Sequence, residues 1–430
     1  MQTALLGFIA LFTLAFIGIP LGYTMLIVGV AGFASYRGWE AALAMGSQQV
    51  LDIGMSHSFS VIPLFVLMGS FIFKSGIADE LFTTAQRWLG GFRGGLAHAA
   101  LGASGGFGAV SGSSLATAAT MARVAVPEMR RHGYDPAFSG ATVAAGGTIG
   151  MLIPPSVPMV IFGILTETDI GKLFIAGIVP GILLMLLYMG TVVIRARHSP
   201  EKMGAVLHTT WLERMRSLPQ VLPVIGLFLF VFGGLYLGVF TPTESAGIGA
   251  AGALALMAVR RRASWQRVRE ALWEAAELTA ILIPVTIGAA VFGNFLTMTG
   301  LTYQAAEWIQ ALNISPLGVV LAMCLVYILL GCVFDSLAML FLTLPIFFPI
   351  ILQLGLDPIW FGIVVMIVVE LGLITPPVGM NVFVVKGVLT DVGTWQIFAN
   401  IIWFVLAGFV CLGLVIAIPE LATTLPSLMR

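Results

Sequence analysis

Two proline pairs interrupt apolar segments of this 430-residue chain: Pro154-Pro155 closes the run that starts at Ile149, and Pro376-Pro377 closes the run that starts at Leu371. Proline has no amide hydrogen, so each pair frees carbonyls four residues upstream, those of Gly150 and Met151 at the first break and of Gly372 and Leu373 at the second. A carbonyl left alone in hydrocarbon is costly, and a dehydrated cation such as Na+ is a natural partner for it. Two short stretches rich in small and polar residues supply further oxygens. The first, Gly105 to Ser114, contains Ser111-Gly112-Ser113-Ser114, and the second, Gly331 to Ser336, ends in Asp335-Ser336. Hydroxyls and carbonyls there suit a cation, and the helix start after Ser113 offers amides to an anion. Carboxylates inside apolar segments are functional candidates because they are expensive to keep there. Asp335 is a potential charged ligand. Glu370, two residues before Gly372, reads either as a protonatable coupling group or as a group bonded to the broken backbone. Glu244, beside Pro242, reads as structural.

The elements that position these groups are written twice. Pro154 pairs with Pro376 at an offset of 222 residues, and the same offset carries Ser114-Leu115-Ala116 onto Ser336-Leu337-Ala338. It also carries Pro127 onto Pro349, Thr168-Asp169-Ile170-Gly171 onto Thr390-Asp391-Val392-Gly393, and Pro20 onto Pro242. Helix breaks at matching places in two copies point to a secondary transporter and to the place of its site.

Composition makes this a membrane chain. It is 59% hydrophobic and 9% charged, with a mean hydropathy of +1.04, and no water-soluble surface is available from such a mixture. The expected fold is an all-α polytopic membrane protein of two inverted-topology repeats, each with five transmembrane segments and one re-entrant hairpin. The first repeat, 1–200, places spans at 3–19, 21–36, 58–75 and 172–194, a hairpin at 95–126 and a broken helix at 136–165. A cytoplasmic loop, 201–218, leads to the second repeat, 219–430. That repeat places spans at 221–239, 244–259, 272–297 and 395–418, a hairpin at 316–350 and a broken helix at 358–387. Hairpin arms of about 15 residues reach roughly 22 Å, too short to span, so each hairpin enters, turns near the midplane and leaves. Segments 78–92 and 301–313 mix polar and apolar residues at helical spacing and read as amphipathic arms along the interface.

An odd number of crossings per copy inverts the second copy. With an external N-terminus, Arg37, Lys172 and Arg430 fall outside and the other seventeen of the 20 Lys and Arg residues fall inside. The reverse orientation would violate the positive-inside rule almost everywhere. Both termini are therefore expected in the periplasm. Met1 to Gly18 has no basic residue, so it reads as the first span and not as a cleaved signal.

Enzyme signatures are weak. Gly102-x-Ser104-x-Gly106 follows no strand and has no evident histidine–acid partnership. The five histidines are scattered without metal spacing, and the cysteines at 324, 332 and 411 read as reduced packing residues. No phosphate-binding G-x-x-x-x-G-K-[S/T] loop occurs, which leaves an ion gradient or a partner as the driving force. Zero formal net charge argues against nucleic-acid binding.

At Ser111–Ser114, Gly150–Pro158, Gly238–Glu244 and Gly372–Gly379 the chain resembles the large membrane subunit of tripartite ATP-independent periplasmic (TRAP) transporters, within the wider ion-transporter superfamily. The resemblance covers nearly the whole length. It implies an elevator-type, Na+-coupled importer of a small organic acid (a carboxylate, a sialate or similar) in the bacterial inner membrane. It also implies two partners, a small membrane subunit of about four helices and a soluble periplasmic binding protein. One Na+ would lie between Ser111, Gly112, Ser113 and Ser114 and the Gly150–Met151 break. A second would lie between Asp335 and Ser336 and the Gly372, Leu373 and Thr375 break. Substrate would sit between the tips, near Ser113, Thr117, Ser156, Asp335 and Asn381. Many members carry aspartate where this chain has Thr117. Two other readings stand beside this one: a stand-alone ion-coupled carboxylate symporter, and a membrane enzyme using Asp335 and Glu370 as an acid–base pair. A channel suits sequential hairpins with inverted symmetry less well.

Overall fold

The computed structural model describes residues 2–301, 304, 314–332 and 334–429, and every regular element among them is a helix. The chain opens with α1 (Gln2–Phe16), α2 (Leu21–Arg37), α3 (Trp39–Gly54), a 3-10 turn (His57–Ser60) and α4 (Val61–Lys74). Next come α5 (Ile77–Leu89), α6 (Gly95–Ser111), α7 (Ser114–Arg131), α8 (Pro136–Leu152), α9 (Val157–Thr166) and α10 (Ile170–His198). A 3-10 turn (Pro200–Lys202) leads into α11 (Trp211–Tyr236), α12 (Pro242–Val259) and α13 (Trp265–Met298). The remainder is α14 (Pro316–Gly331), α15 (Ser336–Gln353), α16 (Pro358–Ile374), α17 (Met380–Val388), α18 (Thr394–Ala417) and α19 (Glu420–Ser427).

Capping chemistry sets many of these starts, and it recurs at the 222-residue offset. Asp135 accepts from the Phe138 amide at 2.7 Å and so opens α8 ahead of Pro136. Its counterpart Asp357 accepts from the Ile359 and Trp360 amides at 2.8 and 2.9 Å and opens α16 ahead of Pro358. A side-chain acceptor before a proline at the first helical position is a strong helix start. Ser113 caps α7 through the Ala116 amide at 3.3 Å, and Asp335 caps α15 through the Ala338 amide at 3.4 Å.

The stretches read as hairpins and broken helices each divide into two helices, α6–α7, α14–α15, α8–α9 and α16–α17, and the α8–α9 pair bends by 40°. From Trp360 to Ile374 every residue of α16 is buried, and the same holds for α8 after its first proline. Around this centre α2 packs on α13 and α12 on α4. The α2–α13 contact is backbone-close, since a methyl on Gly288 would collide with the Gly22 carbonyl, the small-residue packing common between membrane helices.

Several expectations change. Helix α3 and helix α19 were not anticipated; α3 carries too many polar residues to register as a span, with Gln48 and Gln49 at its centre. The loop expected at 201–218 shrinks because α11 begins at Trp211. There Thr210 and Glu213 form a reciprocal capping box, with the Thr210 amide donating to Glu213 Oε2 at 2.7 Å. Helix α13 likewise begins seven residues early, capped by Ser264. By length and apolarity six described helices are able to cross a bilayer, seven if the bent α8–α9 pair counts as one. The expectation was ten; α1 and α16 are apolar but only 15 and 17 residues long. Arm 78–92 is helical as α5, whereas nearly all of arm 301–313 lies outside the described residues.

Candidate functional site

The first hairpin and the first broken helix meet through glycine. A methyl on Gly108 would stand 2.2 Å from the Gly150 Cα, and one on Gly150 would stand 2.6 Å from the Gly108 Cα. Only hydrogen side chains allow two helix backbones this close, and the contact lays the freed Gly150 carbonyl region against the hairpin. The second hairpin repeats the device. A methyl on Gly331 would stand 2.7 Å from the Gly372 Cα, and one on Gly372 would stand 2.8 Å from the Gly331 Cα.

At the first tip Gly112 takes a left-handed conformation, φ +61°, which ends α6 and turns the chain into Ser113. The Gly112 carbonyl accepts from the Val157 amide at 3.4 Å, tying the tip to the far side of the Pro154-Pro155 break. Thr117 donates to the Ser113 carbonyl at 2.8 Å, and its hydroxyl lies 2.8 Å from that of Ser111. Ser114 and Thr117 are buried. At the second tip the Cys332 thiol lies 3.3 Å from the Pro376 carbonyl across the break and 3.2 Å from the Ile328 carbonyl of its own helix, its one proton shared between them. Sequence reasoning had treated Cys332 as packing alone, and nothing in its spacing signals this bond.

The freed carbonyls are partly as expected. Those of Gly150, Met151 and Leu373 accept no hydrogen bond among the described residues. Gly372 is a correction, because its carbonyl accepts from the Thr375 amide at 3.2 Å as the helix tightens into a shorter turn before the prolines. Thr375 also donates its hydroxyl to the Leu371 carbonyl at 2.6 Å. Both Pro-Pro bonds are cis.

Three buried polar groups lie around this centre with unused bonding capacity. The Ser156 hydroxyl has no hydrogen-bond partner among the described residues. Asn381 donates to the Ala144 carbonyl at 3.3 Å, which joins α17 to α8, and its side-chain oxygen has no partner. Glu370 is 1% exposed, and neither carboxylate oxygen has a hydrogen-bond partner among the described residues. Ser114 is a hydroxyl neighbour of it but does not meet bonding geometry; Thr148, the residue equivalent to Glu370 in the other copy, bonds Tyr188 at 3.1 Å. Asp335 and Ser336 are half-buried. Glu244 is a structural capping residue, accepting the Thr241 amide at 2.8 Å. The Ser104 hydroxyl is buried in α6 without a partner, so no triad forms on it.

A separate cavity of about 930 Å³ opens between α3, α13, the end of α9 and the start of α12. Asp52, Glu167, Asp169, Thr286 and Asn294 line it, and none of the expected Na+ or substrate residues does. Asp52 belongs to the unanticipated helix α3, and Thr286 and Asn294 sit singly in an apolar run, which is why sequence reasoning passed over them.

Residues 8–421 match the family described as "Tripartite ATP-independent periplasmic transporter, DctM component". The chain is 37% identical over 380 residues to a C4-dicarboxylate TRAP transporter large permease protein, DctM, of Pseudomonas aeruginosa, covering 88% of each chain. It is 31% identical over 418 residues to a sialic acid TRAP transporter large permease protein, SiaM, of Vibrio cholerae, covering 96% of each. Among solved structures it superposes on the YdaH transporter of Alcanivorax borkumensis with a TM-score of 0.66 at 14% identity, over 92% of this chain and 91% of that one. The last likeness is one of fold.

Proposed function

The chain belongs to the DctM component family of TRAP transporters, and from that premise we propose that it imports a small organic acid, driven by Na+. It is a multi-pass membrane transporter component and not an enzyme. The observation that carries the mechanism is the double Gly-on-Gly seating, Gly108 on Gly150 and Gly331 on Gly372, of each hairpin against a helix broken by Pro-Pro. It supports a reading in which the serine and aspartate caps of the hairpin tips work together with carbonyls that have lost their amide donors.

The proposed first Na+ site combines the Ser111–Ser114 tip with the Gly150 and Met151 carbonyls. The second combines Asp335 and Ser336 with the Leu373 carbonyl and the Thr375 turn, with Gly372 contributing close approach and not a free oxygen. Substrate sits between the tips, bounded by Ser113, Thr117, Ser156 and Asn381. No Lys or Arg is among these residues, so helix N-termini and bound Na+ offset the substrate charge. Transport by the hairpin-bearing body moving as an elevator, inverted repeats, periplasmic termini and a bacterial inner-membrane location complete the reading. So do a small four-helix membrane subunit and a periplasmic binding protein as partners. Relatives named for C4-dicarboxylate and sialic acid transport support an acid as cargo without choosing one. A coupling proton on Glu370 is a second reading, favoured by its unpartnered, buried carboxylate.

Uptake of a radiolabelled acid panel into proteoliposomes, with and without an inward Na+ gradient and the two partners, tests this. Uptake that needs Na+ and both partners supports the tripartite reading. Na+-driven uptake by the chain alone makes it a stand-alone symporter, and uptake under a proton gradient alone moves coupling to Glu370.

A further inference from the structure

A polar pocket of about 400 Å³ lies between the end of α7, the start of α8, the turn after α10 and the first half of α18. Arg130, Asp135, Lys202, Asp391, Gln396 and Asn400 line it. Its two cations and two carboxylates are unevenly paired. Arg130 is paired with Asp391 through both guanidinium nitrogens, and Asp135 is occupied in capping α8. Among the described residues Lys202 meets no carboxylate and donates only to Asn400 Oδ1, at 3.4 Å. Arg195, behind Asn400, donates to the same oxygen at 3.4 Å, and its Nε is buried without a partner. The lining therefore sets two cations, Arg130 and Lys202, against two carboxylates that are already engaged, and Lys202 and the neighbouring Arg195 converge on one neutral amide oxygen. That is a poor arrangement for two guanidinium- and ammonium-type charges unless an anion joins them.

We propose that this pocket holds the phosphate of an anionic phospholipid headgroup. The shared chemistry is a phosphate oxyanion bonded by Lys202 and Arg195, and the surroundings select a lipid over a free ion. The Arg195 guanidinium stacks 5.5 Å from the Trp403 ring centroid, one turn along α18 from Asn400. Trp403, Ile402 and Leu406 are 41%, 43% and 52% exposed. They form an apolar strip beside the pocket on which an acyl chain lies while the headgroup meets the cations. A tryptophan beside a basic pocket at a helix end is the chemistry of a membrane interface. Arg195, Arg197 and Lys202 are also on the side that the positive-inside rule assigns to the cytoplasm, where anionic lipid is presented.

The test is native mass spectrometry of the delipidated full chain titrated with dioleoyl phosphatidylglycerol or dioleoyl phosphatidylcholine. The expected result is a preference of about tenfold or more for phosphatidylglycerol. Arg195→Gln with Lys202→Gln should erase about 25-fold of its affinity, roughly fivefold per cation, and leave phosphatidylcholine unchanged. Should that pair fail to fold, Asn400→Asp offers the two cations an internal anion at nearly constant shape and should cut phosphatidylglycerol binding in the same direction. Equal affinity for the two lipids, or full phosphatidylglycerol binding in the variants, overturns the proposal. Equal lipid affinity combined with millimolar inorganic phosphate protecting the wild type, but not the variants, from thermal unfolding also overturns it and makes this a soluble-anion site.

Discussion

Thr117 and Ser111 hold the first hairpin tip closed on itself, their hydroxyls 2.8 Å apart across the Gly112 turn. Both hydroxyls also reach the Ser113 carbonyl, Thr117 at 2.8 Å and Ser111 at 3.3 Å, so one proton goes to that carbonyl and the other joins the two side chains. The aspartate of many family members is able to accept from Ser111 but, when ionised, has nothing to donate to Ser113. Thr117→Val removes both bonds at constant shape. At about 1 kcal/mol for each bond it should weaken apparent Na+ affinity in proteoliposome uptake about five- to 30-fold, while Thr117→Ser stays near wild type. Wild-type Na+ dependence in the valine variant would show that tip closure does not shape the ion site.

The two glycine crossings give a prediction about packing. Gly108→Ala drives a methyl to within 2.2 Å of the Gly150 backbone, and Gly331→Ala to within 2.7 Å of the Gly372 backbone. Backbone on both sides leaves nothing that rotates away, so each should cost on the order of 1–3 kcal/mol and lower the thermal midpoint in detergent. Gly247→Ala and Gly413→Ala meet nothing within 4 Å and should leave it unchanged or slightly raised. Equal behaviour of the two pairs would mean that the crossings relax freely.

The caps lead to a prediction about the ion sites. Ser113→Ala removes the acceptor for the Ala116 amide, and Asp335→Ala removes that for the Ala338 amide. A lost cap costs about 1 kcal/mol, too little to unfold a chain of this size. Each variant should therefore remain folded by circular dichroism and show reduced apparent Na+ affinity in uptake. Unchanged Na+ dependence in both would refute the placement of the sites.

Both broken helices were legible in the sequence because Pro-Pro acts through covalent chemistry, with no amide to donate, and because it occurs at matching places. Hairpin tips were legible from glycine and serine density for the same local reason. Gly372 was misjudged because tightening the last turn is a backbone adjustment that lets Thr375 donate three residues back, and side-chain identity carries no trace of it. Helix α3 was missed since its period mixes Gln48, Gln49 and Asp52 with leucines, a pattern that reads equally as a loop. The Lys202–Arg195 convergence on Asn400 joins residues about 200 positions apart, and no spacing rule reaches that far.

Asp391 gives a pH prediction outside the spans. The Arg130 guanidinium, through its hydrogen bonds, is the main cause holding this carboxyl below the usual aspartate range. A depressed carboxylate contributes stability that is present above the unfolded value and is lost as pH falls through the lower folded value. Asp391→Asn should therefore lower the thermal midpoint slightly at neutral pH. The difference from wild type should shrink as pH falls below about 4. Arg130→Gln should show the same loss, and the double variant no more than either alone. A gap that persists in strong acid would assign the effect to packing of the loop before α18.

Glu370 separates the two coupling readings. Glu370→Gln keeps the shape of a side chain that is fully enclosed and whose oxygens accept nothing, and it removes the cost of any buried charge. The variant should fold with an unchanged or higher thermal midpoint. Should Glu370 take up a coupling proton, uptake by the variant loses its dependence on pH between neutral and mildly acidic conditions and keeps its dependence on Na+. Should the carboxyl serve only to fill space beside Ser114, both dependences survive. Loss of Na+ dependence with pH dependence intact would instead place a cation at Glu370. That outcome would add a carboxylate to the first ion site, whose other proposed ligands are hydroxyls and carbonyls.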